Sequence, residues 1–162
     1  MDERAAHGLW VIVASIAMAL LLMILAVPDW LRWSRPEWVT MVLIYWVMAL
    51  PHRVGILVGA STGLLLDVLE GAVLGEHAFA LVIVAYATML LYQRLRMFAV
   101  WQQAFIVYVL VGIQQLACHW VENIAGNPEQ NLLFLLPALM SAVFWPLVTV
   151  CLSFFQRMYA VY

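Results

Sequence analysis

The sequence predicts an all-α integral membrane protein folded as one polytopic domain, a compact bundle of about six transmembrane helices. Three observations carry that prediction. Hydrophobic residues make up 67% of the 162 residues and charged residues 10%, both far outside the range of an ordinary soluble domain. A water-soluble fold of this size has too little interior for so much apolar surface, whereas lipid serves as its solvent. The apolar residues fall into segments near the length a bilayer needs. The breaks between segments are too short to hold a soluble domain.

A helix crossing about 30 Å of hydrocarbon needs roughly 20 residues. The first segment, Leu9–Val27, carries no charge. It outlasts a signal-peptide core of about 7–15 residues and leads into Pro28-Asp29-Trp30 rather than a small-residue cleavage site, so it is expected to stay as a span. Pro28 and Pro36 bracket the next break. The second segment, Trp38–Leu50, ends at Pro51, which disfavours helix at the residue before it. The third covers 54–74 when its flank is counted. The fourth, Ala78–Tyr92, is also short, and both suit helices packed within a bundle. Met97–Val121 and Leu132–Phe155 complete the set, separated by the turn signal Gly126-Asn127-Pro128.

Pro51-His52-Arg53 decides the helix count. As a turn it gives six helices; as a kink in one helix it gives five. With six helices and both termini inside, Arg4, Arg53, Arg94, Arg96 and Arg157 are cytoplasmic and Arg32 and Arg35 are outside. With five, Arg32, Arg35, Arg94, Arg96 and Arg157 are inside and Arg4 is outside. The positive-inside rule tolerates both. The five-helix version holds Arg53 at membrane depth, at about 2.5–3.5 kcal/mol or more, so six are preferred. Trp10, Trp30, Trp33, Trp38, Trp101 and Trp120 fall near segment ends, where an amphipathic ring suits the headgroup layer. Trp46 and Trp145 lie deeper and are expected to pack.

Charge excludes one class of partner. The net charge is −2, every basic residue is arginine and none form a run, so no nucleic-acid surface is expected. Cys118 and Cys151 lie inside apolar segments and read as small buried residues. No zinc-type Cys/His spacing is present.

Of the eight glycines, five fall at Gly55, Gly59, Gly63, Gly71 and Gly75, with Asp67 filling the gap in a four-residue step. On one helix that step makes a ridge without side chains, at a cost of about 0.8–1 kcal/mol per glycine relative to alanine. Close approach of another helix backbone in lipid offsets that cost. The neighbour is first of all a helix of the same chain, and otherwise a partner protein's helix or a ligand lying in the groove. Asp67 is read as a helix-end acid paired with arginine or backbone N–H groups, or as an anion that docks a partner. Arg53, in the turn with Pro51 and His52, is suited to lipid phosphate or to a partner's acidic group. In the fifth segment Gln115, His119 and Glu122 share a face, as polar glue between helices or as a route into a small cavity. His119 and Glu122 are too few to claim a metal. No cofactor is expected, and neither GxSxG, HExxH nor a P-loop occurs, so no enzyme is expected.

Tyr45-Trp46-Val47-Met48-Ala49-Leu50-Pro51-His52-Arg53-Val54-Gly55 resembles the identifying segment of the bacterial MreD family. Gly59, Gly63, Leu66-Asp67, Gly71, Leu74-Gly75, His77 and Ala80 continue the likeness, as do Trp101-Gln102-Gln103 and Trp145-Pro146. The resemblance implies a multi-pass inner-membrane subunit of the elongation complex that directs lateral cell-wall synthesis. It implies MreC as main partner, and through the complex the MreB filament, the glycosyltransferase RodA and a penicillin-binding transpeptidase. It further implies a likeness in architecture to the substrate-binding subunits of energy-coupling-factor transporters, from which a small-molecule-binding transport subunit follows as the alternative function. Arg53 and Asp67 match motif positions without gaining a defined role.

Overall fold

The computed structural model describes residues 2–25, 28–126, 132–159 and 161, with the side chains of residues 2–7, 32, 33 and 132 left aside. The end of the first expected span at Val27, the Asn127-Pro128 signal and the side chains of Arg4, Arg32 and Trp33 therefore lie outside the described residues. The described residues form six α-helices: α1 (Asp2–Ile24), α2 (Trp38–Ala49), α3 (Ile56–Glu70), α4 (Glu76–Leu95), α5 (Val100–Ile124) and α6 (Leu136–Met158). Short 3₁₀ turns at Asp29–Ser34 and Leu132–Leu135 precede α2 and α6. No strand occurs among the described residues.

The Pro51 region is a turn, not a kink. The helix stops at Ala49, Leu50 O accepts the N–H groups of Arg53 and Val54, and α3 starts at Ile56. Glu76–Leu95, Val100–Ile124 and Leu133–Met158 are long and apolar enough to cross a membrane, while Gly8–Ile24 and Trp38–Ala49 are shorter apolar stretches. Helix boundaries differ from the sequence expectation where polar residues extend a helix at little cost: α4 takes in Glu76, His77 and the Gln93–Leu95 end, and α5 begins three residues later than Met97 because Gln102 Oε1 accepts the Ala99 N–H and starts the helix there.

The bundle is built around α2. Every residue from Val39 to Met48 is buried, as expected of a helix that is hydrophobic on all sides. It contacts α1, α4, α5 and α6, while α3 packs chiefly on α4, and α5 on α4 and α6. Trp46 and Trp145 are fully buried, whereas Trp10, Trp30, Trp101 and Trp120 are each about 70% exposed or more.

Polar groups inside an apolar bundle must find partners within the protein. Trp46 Nε1 donates to Ser15 Oγ at 2.7 Å, Tyr45 Oη to Gln156 Oε1 at 2.7 Å, and Trp145 Nε1 to Gln103 Oε1 at 3.2 Å. Gln103 in turn donates to the carbonyls of Leu95 and Phe98, tying the α4–α5 turn to α6. At the C-terminus of α2, Arg96 donates to the carbonyls of Met48 and Ala49, where a cation also suits the helix dipole.

Candidate functional site

One end of the bundle holds a polar chamber of about 600 Å³. It lies where α1, α3 and α5 finish and α2, α4 and α6 begin. Its charged lining is Arg35, Glu37, Glu70, Glu76, His77, His119 and Glu122, joined by Gln115 and Cys118. Four carboxylates face one arginine, so the lining is acidic and favours cations.

Glu37 sits just before α2, where the chain turns in from Pro36. It is 9% exposed, yet it is held on three sides. Its carboxylate accepts from Gln115 Nε2 at 2.7 Å and Gln114 Nε2 at 3.3 Å, and its N–H donates to Ser141 Oγ at 2.9 Å. Thr40 donates to Gln114 Oε1 one turn further in. Such bonds repay much of the cost of burying an acid. Opposite, Arg35 donates to the Leu22 carbonyl at the end of α1, while its buried Nε has no hydrogen-bond partner among the described residues.

The α3–α4 turn forms another wall. Asp67, near the end of α3, is 1% exposed. Its Oδ2 accepts the Gly75 N–H at 2.8 Å, and its Oδ1 accepts the His77 N–H at 2.8 Å and meets His77 Nδ1 at 2.9 Å. One carboxylate thus caps the first turn of α4, where the dipole favours negative charge, and fixes the His77 ring. The remaining ring nitrogen, Nε2, lies 3.7 Å from Glu70 Oε2. Glu76 (4% exposed), His77 and Cys118 (7% exposed) each offer an atom within 4.8 Å of the others.

The five glycines do not share one helix. Gly55 precedes α3 with an extended backbone. Gly71 ends α3 with φ +68°, and Gly75 starts α4 with φ +98°. At those two positions the left-handed backbone, not a close neighbour, calls for glycine, and a Cβ would meet nothing within 4 Å. The third expected span, 54–74, is therefore helical only over Ile56–Glu70. Gly59 and Gly63 do face a helix, and it is α4. A Cβ on Gly59 would lie 3.1 Å from Leu81 O, and one on Gly63 would come within 2.5 Å of Ala78 N. That surface is occupied within the chain.

Gln115, His119 and Glu122 line the chamber together. His119 Nδ1 is 4.0 Å from Glu122 Oε2, and the ring stacks on Phe134 at 5.1 Å. Asp67 stands behind the wall, holding His77. Pro51, His52 and Arg53 are at the opposite end of the bundle. His52 and Arg53 are exposed there, and Arg53 Nη1 lies 3.5 Å from where a Cβ of Gly8 would stand. Sequence reasoning gave no role to Arg35, Glu37, Glu70 or Glu76. Each borders a helix end within a few residues of an apolar segment, which is the signal that marks them.

A second recess, of about 610 Å³, runs between α1, α2 and α6. Its walls include Trp10, Met18, Leu22, Val42, Leu147 and Phe155.

A family model described as "rod shape-determining protein MreD" matches residues 5–155. A protein of Haemophilus influenzae named "Rod shape-determining protein MreD" is 29% identical over 157 residues, which cover 97% of each chain. No solved structure matches. A match across nearly the whole chain, on a bundle of membrane-type helices that places Arg53 in a turn and Asp67 at a helix junction, leaves one assignment: the chain belongs to the MreD family of rod shape-determining proteins.

Proposed function

We propose that the protein is a non-catalytic inner-membrane scaffold of the cell-shape machinery, and that it holds the transmembrane helix of MreC in the apolar recess between α1, α2 and α6. Membership of a rod shape-determining family supports the role, and the recess supports the surface. Helices associate in lipid by close packing, and a recess walled by three helices offers one more helix a large area of contact. The glycine face of α3 is filled by α4, which leaves this recess as the better seat. Through MreC the protein would join the MreB filament, RodA and a penicillin-binding transpeptidase. Both termini would be cytoplasmic, so the polar chamber would open to the periplasm, and Arg53 would meet lipid phosphates on the inner face.

Filling the recess tests this. Ala14→Trp and Leu147→Trp should lower co-purification of MreC by at least about tenfold, a loss of roughly 1.4 kcal/mol, while leaving the purified protein monodisperse. Leu57→Trp, at an exposed site on α3, should leave it unchanged. Full retention of MreC by both recess variants would refute the proposed seat.

A second reading, a small-molecule-binding subunit of a transporter, is favoured by the chamber, whose volume suits a compact polar ligand. Native mass spectrometry that finds a stoichiometric organic ligand on the purified chain would favour it over the scaffold.

A further inference from the structure

We propose that Glu76, His77 and Cys118 bind a divalent transition-metal ion, zinc by the chemistry of the donors, at the wall of the polar chamber. The three ligand atoms lie within 4.8 Å of one another, so an inward shift on the order of 1 Å brings them to the roughly 3.3–3.8 Å donor spacing of a tetrahedral ion held at about 2.0–2.3 Å. Carboxylate, imidazole and thiolate together suit zinc, which is borderline-soft, better than magnesium or calcium, which prefer oxygen.

Three further observations point to a ligand. Glu76 is 4% exposed, and its carboxylate accepts a backbone hydrogen bond from Val73 but meets no arginine and no side-chain donor among the described residues. That single bond offsets only part of the cost of burying the carboxylate, and a cation would supply the opposing charge. Asp67 holds His77 Nδ1 at 2.9 Å. With the proton on Nδ1, the lone pair is on Nε2. A carboxylate behind a histidine is the arrangement that orients metal-binding imidazoles and raises their basicity. The chamber itself is acidic, with Glu37, Glu70 and Glu122 also on its lining, and draws cations in.

The donors come from two helices. Glu76 and His77 belong to the first turn of α4 and Cys118 to α5, so the ion would clip the two together. Binding deprotonates Cys118 and releases that proton to the chamber. Three protein donors leave a fourth tetrahedral position, open to water or to an anionic group entering the chamber.

Cobalt(II) is the probe. The full chain is purified, reconstituted in lipid nanodiscs, stripped with a chelator and titrated with Co²⁺. The expected result is saturation near about one equivalent, a near-ultraviolet thiolate-to-cobalt band, visible bands of tetrahedral intensity, and loss of all of them when Zn²⁺ is added. Cys118→Ser should abolish the near-ultraviolet band. His77→Gln and the positioning variant Asp67→Asn should each weaken binding by about 10–100-fold. Cys151→Ser, exposed on α6, should match the parent. Absence of the thiolate band in the parent protein would overturn the site whether or not the variants fold. So would a band that follows Cys151 instead of Cys118, or equal zinc affinity in the Cys118→Ser/His77→Gln double variant, which would mark an adventitious ion only.

Discussion

Two recesses of nearly equal volume, about 600 and 610 Å³, have opposite chemistry. The chamber is a convergence of helix ends. Four chain segments, the approach to α2, the end of α3, the start of α4 and the second half of α5, bring charged or polar residues to one end of the bundle, and hydrogen bonds across long sequence separations hold Glu37 among them. The apolar recess is a convergence of helix sides, built from α1, α2 and α6. The difference teaches where specificity comes from in a small membrane protein. Helix ends can carry charge because turns and backbone groups satisfy it. Helix sides must be apolar and discriminate by shape alone. The first kind of recess is suited to an ion or a polar group, the second to another helix or an acyl chain.

If the chamber wall depends on the α3–α4 contact, disturbing that contact should have the largest effect. Gly63→Leu would drive a side chain into the backbone at Ala78, beside His77. The expected loss is at least about 3 kcal/mol, seen as a broadened, early-eluting gel-filtration peak or a large drop in melting temperature. A protein that tolerates leucine there would show α3 free to move, and would return the glycine face to the candidates for partner binding. Next in size is Asp67→Ala, which strips the Gly75 and His77 N–H groups of their acceptor and should cost about 2–3 kcal/mol. Amide exchange by mass spectrometry should localise the change to residues 71–80, and uniform loosening of the bundle would argue against a local cap. The smallest effect belongs to the recess. Leu147→Ala trims a half-exposed side chain and should move stability by no more than about 0.5 kcal/mol. A larger loss would make that face part of the fold, not a seat for something else.

The bundle was legible in the sequence because lipid makes hydropathy a direct signal, and because Pro51 and the charged pair after it mark a turn. Trp46 and Trp145 were legible as packing residues because each lies inside its apolar segment and not at its edge. The glycines misled in part. A four-residue step describes a helix face, but it also fits a helix that stops. Nothing in the spacing separates Gly63, pressed against α4, from Gly71, needed for its backbone angle. The chamber was half legible. Gln115, His119 and Glu122 are neighbours on one helix and so announce themselves, whereas Glu37 finds Gln115 and Ser141 across 78 and 104 residues. Cys118 looked like filler from its surroundings in sequence, and only the approach of α4 brings Glu76 and His77 to it.

The central helix is short. At 1.5 Å per residue the 12 residues of α2 reach about 18 Å, against about 30 Å of hydrocarbon. At one of its ends lies the chamber with Glu37, and at the other the exposed His52 and Arg53. The axial helix is therefore shorter than the hydrocarbon layer of a typical bilayer, so the charged groups at its two ends stand closer together than the thickness of that layer.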